Sequence, residues 1–510
     1  MIKKASEITL RVRPITTGLE HKYFYEGPCR FGTGEALEPG YDRLANAQKA
    51  KDFVDKLRAC APYNVEVLEP VNLGRTDDWD NSEKQWQRVA ATMPDADVLV
   101  AYPNLGTDDL IIEMVERFNK PVIFSPDTIT GISDTAALRC KPGKTYQVFP
   151  NITWEQVTAR LAAFRAAKVI RNTNILLASR FGGVTSCSTF DTFNNFDQIT
   201  SLFGVHFRYV NIHELLDQMT PAVEGGNPTT PGRITPDLTS EDMETVNKLA
   251  DELIGSASDV AVSREYLINT LIAYVTVKKN LDLKDCNGFT VPCPDVCSTR
   301  RINEMKFTFC MTHSLLMEQG IPSSCEFDVA CVLSQQALIA VSQKSPYMGN
   351  AYPLAYENGK LNVRHANDKE LAVLMADPEN LYAVQHSVAH RRMVDPSQNG
   401  SFALRHFAFD QKFGAIMRYD WNQDAGQHVT MCRFSPDGRK LFVGKGQIVA
   451  GGGYKEDNCS GPVFVRVKDQ ADFFAKQVNV GMHLPLVYGD YTRELINLAE
   501  LFGIEAIVAG

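Results

Sequence analysis

Gly320-Ile321-Pro322-Ser323-Ser324-Cys325-Glu326-Phe327-Asp328 is the stretch on which the reading of this chain turns. Gly-Ile-Pro is a turn signal, and it delivers two carboxylates to the head of an apolar run. In that run Val329, Val332, Leu333, Ala337, Ala340 and Val341 fall on one side of a 3.6-residue period, which predicts a helix with one apolar face. Acids at a helix start are favoured by the N–H groups exposed there. Ser323-x-x-Glu326 is at the same time a capping box, with Ser323 as N-cap and Glu326 reaching back to it. These residues alone admit both readings, a cap and a functional acid. Tyr347-Met348-Gly349-Asn350 follows the helix.

Upstream, residues 1–170 alternate short apolar runs with helical patterns. Val65-Glu66-Val67-Leu68, Asp97 to Tyr102 and Pro121 to Ser125 read as strands. Leu44 to Cys60, Glu83 to Ala91 and Leu110 to Phe118 read as helices between them. This rhythm predicts a parallel sheet covered by helices. Ligands on such sheets gather at the carboxyl ends of strands, which brings forward the loops Pro103-Asn104-Leu105-Gly106 and Pro126-Asp127, with Asn104 as a substrate contact. Gly32-Thr33-Gly34 lacks the rest of a dinucleotide fingerprint, and no phosphate-binding G-x4-G-K-[ST] loop is present.

After the helix Trp154 to Val169 the pattern restarts. The strand Asn174 to Ser179, the glycine turn Phe181-Gly182-Gly183-Val184 and the strand Val205 to Val210 form a second β-α-β unit. Glu224-Gly225-Gly226-Asn227-Pro228 marks an exposed loop, and helices are expected over 240–254, 263–279 and 307–319. Beyond residue 350 the texture becomes antiparallel β. Phe402 to Phe409, Ala415 to Trp421 and His428 to Phe434 alternate, and Pro436-Asp437-Gly438 turns the chain into Lys440 to Gly444. The expected organisation is α/β, with two doubly wound Rossmann-like domains over 1–170 and 171–350 and a β-rich domain over 351–510. The second carries the Glu326 turn and the third carries His483.

Composition narrows the function. A chain of 510 residues, 44% hydrophobic and 22% charged, is a globular protein with filled cores. Its net charge of -9 lacks the basic face of a nucleic-acid binder. No apolar run approaches the roughly 20 residues of a membrane span, and no signal peptide is evident, so a cytoplasmic protein without a membrane partner is expected. Among the twelve cysteines, Cys286, Cys293, Cys297 and Cys310 cluster loosely without a C-x2-C pair. Reduced, buried thiols are the expectation.

With few histidines, their placement matters. His386-Ser387-Val388-Ala389-His390 has the i, i+4 spacing that shares a face on a helix, but no glutamate follows the first histidine, as a zincin needs. His483 lies in Gly481-Met482-His483-Leu484-Pro485, shortly before Tyr488-Gly489-Asp490.

Taken together, Arg13-Pro14, Phe181-Gly182-Gly183-Val184, Gly320 to Asp328, and Gly481-Met482-His483 with Tyr488-Gly489-Asp490 resemble the L-fucose isomerase family and its shorter arabinose isomerase-like relatives. The resemblance favours a functional Glu326. It implies aldose–ketose interconversion of a deoxy sugar or pentose, assisted by Mn²⁺ or Mg²⁺. It also implies a small-molecule sugar as partner and a symmetric homo-oligomer, a trimer or hexamer. By resemblance Glu326 and His483 are metal ligands and Arg13 lies near the substrate. His386 matches a histidine near the site, although its usual Cys neighbour is Ser387 here. Asn350 stands where the family places a metal-binding Asp. Asn offers a carbonyl oxygen but cannot carry a proton.

Isomerisation requires moving a proton beside a carbonyl, and the enediolate formed is anionic. Glu326 is the expected base, with His386, His390 or Asp328 available for the second acid–base role, and His390 is also expected to contact the substrate. In this reading Asp328, two residues from Glu326, points elsewhere and serves the helix start. A related epimerase or lyase, or a sugar-binding protein without catalysis, uses the same residues in the alternative readings.

Overall fold

A computed structural model describes residues 3–20, 41–76, 82–104, 107–128, 131–180, 190–219, 238–297, 300–411 and 413–509. Gly32-Thr33-Gly34, Leu105-Gly106, Phe181 to Val184 and Glu224 to Pro228 lie outside these residues. The chain forms two compact units, Ile8–Arg165, and Met1–Glu7 with Ala166–Gly510. Among the described residues no helix is long and apolar enough to cross a membrane.

The unit Ile8–Arg165 is built on a parallel sheet. Its strands run in the order Val65–Val67, Leu10–Glu20, Val98–Tyr102, Val122–Phe124 and Val148–Phe149, with Val71–Thr76 beside the second half of Leu10–Glu20. Val98, Leu99, Val100 and Ala101 are all buried, as a strand covered on both faces requires. The helix Asp108–Phe118 buries Leu110, Ile111, Met114 and Val115 at three- and four-residue spacing. It stops at Asn119, whose φ of 49° is left-handed and whose N–H returns to the Val115 carbonyl.

The second unit opens with a four-stranded parallel sheet in the order Ser323–Ser324, Gly288–Thr290, Asn174–Ser179 and His206–Asn211. The C-terminal third is antiparallel, as its alternation indicates, and it closes on itself. The strands His428–Phe434, His483–Tyr488, Tyr347–Pro353, Leu381–His386, Gly461–Arg466 and Lys440–Gly451 pair in sequence, and the last pairs again with the first. The result is a barrel, to which Glu505–Ala509 adds in parallel outside the ring. Residue 350 lies inside one barrel strand. A smaller sheet joins Asp259–Val260, Phe402–His406 and Ala415–Tyr419.

Pro436-Asp437-Gly438 turns the chain as its composition predicts. Gly438 has a φ of 71°, and Asp437 Oδ1 accepts from the Arg439 amide at 3.0 Å.

The helix after Asp328 spans Val329–Ser342 and departs from expectation in one respect. It is buried all round, not along one face. It packs on the parallel sheet on one side and on the barrel strands His428–Phe434 and His483–Tyr488 on the other. Its polar residues therefore need internal partners. Gln335 donates to the Ser323 carbonyl and Gln336 to Thr173 Oγ1, both at 3.0 Å, and Ser334 Oγ accepts from the Phe434 amide at 3.0 Å.

Candidate active site

Glu326 sits just beyond the carboxyl end of the strand Ser323–Ser324. The turn that carries it is held in a conformation that side chains rarely adopt, with φ of 60° at Glu326 and 55° at Phe327. Several bonds impose it. The Phe327 amide donates to the Val291 carbonyl at 3.0 Å, the Asp328 amide to Cys325 at 3.2 Å, and Ser324 Oγ to the Asp328 carbonyl at 2.6 Å. Phe327 is wholly buried beneath them. Two successive left-handed non-glycine residues cost a few kcal/mol, about 1–3 each, and such strain concentrates where a side chain must be aimed.

This geometry overturns the capping box. Ser323 is in a strand and its hydroxyl meets His313 Nδ1 at 2.7 Å. The helix is capped instead by Asp328, whose Oδ1 accepts from the Cys331 amide at 3.0 Å. Glu326 is left outside the helix with its side chain 27% exposed.

Asp328 does more than cap, which corrects the expectation that it points elsewhere. Arg433 grips it with both terminal nitrogens, at 2.6 and 3.2 Å, and His483 Nδ1 lies 2.8 Å from its Oδ2. All three side chains are fully buried. Burial opposes the charge on Asp328, but the Arg433 guanidinium and the His483 ring outweigh it and hold the carboxyl well below its ordinary range. Arg433 also donates to the backbone carbonyls of Val480, Asp191 and His483, fixing the strand that carries the imidazole. The Asp328 contact orients His483 so that Nε2 points to Glu326 Oε2, 3.6 Å away.

His386 closes the arrangement from another strand. Its Nε2 is 3.4 Å from Glu326 Oε1, and its ring lies 5.6 Å from that of His483. The Tyr347 hydroxyl accepts from the His386 amide at 2.5 Å and pins that strand end. Burial lowers the affinity of the His386 ring for a second proton, against the opposing pull of Glu326. Asn350 stands directly opposite both His483 and Gln385 in the barrel, so the three side chains leave the same face of the sheet. Asn350, Gln385, His386 and Glu326 line a cavity of about 280 Å³, at the small end of ligand cavities.

The donor set fits a hard divalent cation. His483 Nε2 and Asn350 Oδ1 are both buried without a hydrogen-bond partner, and the Glu326 carboxylate lies beside the imidazole. Asp328 gives His483 the outer-shell carboxylate that metal-ligating histidines usually have.

The remaining expected residues lie differently. Arg13 and Asn104 belong to the unit Ile8–Arg165. Arg13 donates to the Glu69 and Thr92 carbonyls at 2.8 and 2.9 Å, and Asn104 is bound to Thr17 through its amide and side chain. His386 and His390 are not on a helix. His386 ends the strand Leu381–His386, and the following residues have no regular structure. His390 is wholly buried, its Nδ1 accepts from the Arg392 amide at 3.3 Å, and it is not among the side chains lining the cavity. Sequence reasoning missed Arg433 and Tyr347. A cation inside the run Met431-Cys432-Arg433-Phe434 was the available signal, since a buried strand tolerates a charge only when it is paired.

No family model matches the chain. It is similar to the proteins named sulfoquinovose isomerase of Priestia aryabhattai and of Priestia megaterium. It is 23% identical to each over 433 residues, 81% of this chain and 85% of the relative. The similarity to sugar isomerases thus runs through most of the molecule.

Proposed function

We propose that the chain interconverts an aldose and a ketose by moving a proton between adjacent carbons through an enediolate. The observation that carries this reading is the meeting of three distant segments at Glu326, which lines a small cavity with His386 and has His483 Nε2 3.6 Å from its other oxygen. Glu326 takes the proton from one carbon and returns it to the next. His386, whose charged form burial disfavours against the pull of Glu326, would exchange a proton with a substrate oxygen. Glu326, Asn350 and His483 would hold Mn²⁺ or Mg²⁺. Such a cation supplies Lewis-acid stabilisation of the two substrate oxygens. The similarity to sulfoquinovose isomerases makes that sulfonated aldose the first substrate to test, ahead of L-fucose and D-arabinose.

The assay is NMR in D2O with Mn²⁺ and each sugar. Isomerisation yields ketose carrying solvent deuterium at C1 and recovered aldose carrying it at C2. Dehydrated or shortened products instead identify a lyase, and unchanged sugars with a raised melting temperature identify a binder. Glu326→Gln should lower turnover by about 10²–10⁴-fold, the usual contribution of a positioned acid–base group, with the fold retained. Wild-type rates in that variant would remove the carboxylate from the reaction.

A further inference from the structure

Behind the Glu326 turn lies a second constellation that the proton chemistry does not use. The short helix Cys293–Cys297 follows the strand Gly288–Thr290 and places two cysteines one turn apart. Cys325 follows the neighbouring strand, Ser323–Ser324. His313, on the helix Cys310–Glu318, stacks on Phe289 with ring centroids 5.7 Å apart. The ligand atoms of Cys293, His313 and Cys325 all lie within 4.8 Å of one another, and all three residues are buried. The Cys293 thiol is also in hydrogen-bond contact with Cys297.

The imidazole is the telling member. His313 is 0% exposed, its Nδ1 is taken by Ser323 Oγ at 2.7 Å, and its Nε2 has no hydrogen-bond partner. A buried polar atom without a partner calls for an explanation. Burial pushes this ring down to about 3, so it is neutral and offers a lone pair.

We propose that Cys293, Cys325 and His313, with Cys297 beside Cys293 as a fourth donor, form a structural site for a thiophilic divalent cation of the Zn²⁺ type. Sulfur and imidazole donors in a tetrahedral set select such an ion, and the C-x3-C pair falls within the usual spacing. Nδ1–H donating to Ser323 Oγ would supply the outer-shell bond that fixes the ring's tautomer. Binding releases the thiol protons to solvent. The ion has a path in, because Cys293, Cys297 and Cys325 line the same cavity as Glu326. Its effect would be to tie down Cys325, the residue before Glu326, and so to fix the strained turn. Cys325 also lies within 4.8 Å of ligand atoms of Glu326 and His386, so the thiol site adjoins the active site, whose Glu326 and Asn350 oxygens suit a harder ion.

The test is a Co²⁺ titration of the full chain, reduced and stripped with chelator. A near-ultraviolet thiolate-to-cobalt charge-transfer band should appear, saturate, and vanish on adding Zn²⁺. Cys293→Ser and His313→Gln should remove or strongly weaken it, and Ser323→Ala should lower Co²⁺ affinity by about 10–100-fold. Circular dichroism checks that each variant folds. Where one does not, iodoacetamide mapping of the wild-type chain decides, with Zn²⁺ protecting Cys293 and Cys325 but not the exposed Cys140. Absence of the band, its survival in folded Cys293→Ser, or alkylation of Cys293 and Cys325 unaffected by Zn²⁺ would overturn the site. A failed isomerase assay with the band intact counts against the proton chemistry alone.

Discussion

At the scale of single residues, Asp328 holds the site together. It caps a helix, neutralises a buried arginine and orients an imidazole with one carboxylate. Removing Asp328 leaves the buried Arg433 with only the part-exposed Asp191 carboxylate, 3.2 Å away, to balance its charge. Asp328→Asn should therefore lower unfolding free energy by about 3–5 kcal/mol in urea titrations. An unchanged midpoint would show that the pair contributes nothing. His390 sets a second expectation. Burial holds it down to about 3, whereas an unfolded chain protonates it near 6.5. Below about pH 6.5 the unfolded state binds a proton that the native state does not. Stability should then fall from pH 7 towards pH 4, and His390→Asn should flatten that slope in denaturation curves taken across the range.

At the scale of elements, the strand Tyr347–Pro353 matters because it bridges the strands that carry both histidines. Its fit depends on Gly349. A Cβ there would stand 2.7 Å from the Gln385 amide nitrogen, which is backbone and cannot turn aside. Gly349→Ala should push the strand Leu381–His386 away, lowering both the melting temperature and turnover by NMR assay. A melting temperature and rate equal to wild type would mean that the strands adjust without moving His386. The helix Val329–Ser342 carries the lesson about legibility. Its presence follows from its periodicity, but its full burial does not. The polar residues Ser334, Gln335 and Gln336 read as a solvent face until a barrel covers them.

At the scale of the whole molecule, closure of the barrel leaves its six strands without a free edge within the ring. Their amides should exchange with deuterium as one slow unit, more slowly than those of the open sheet Asp259–Val260, Phe402–His406 and Ala415–Tyr419, in hydrogen-exchange mass spectrometry. Equal exchange rates would argue against a closed ring.

Local order was legible in the sequence. The strand Asn174–Ser179, the strand His428–Phe434 and the turn at Gly438 follow from apolar periodicity and turn chemistry, which act over a few residues. The candidate acid is legible too, because the segments Gly320 to Asp328 and Gly481-Met482-His483 single out Glu326 and His483 by resemblance. What the tertiary structure alone decided is which atoms meet. The choice of Asp328 over Ser323 as cap, the grip of Arg433, and the gathering of Cys293, His313 and Cys325 depend on strand pairing and barrel closure. Those contacts join residues far apart along the chain, and no local pattern encodes the register that brings them within bonding distance.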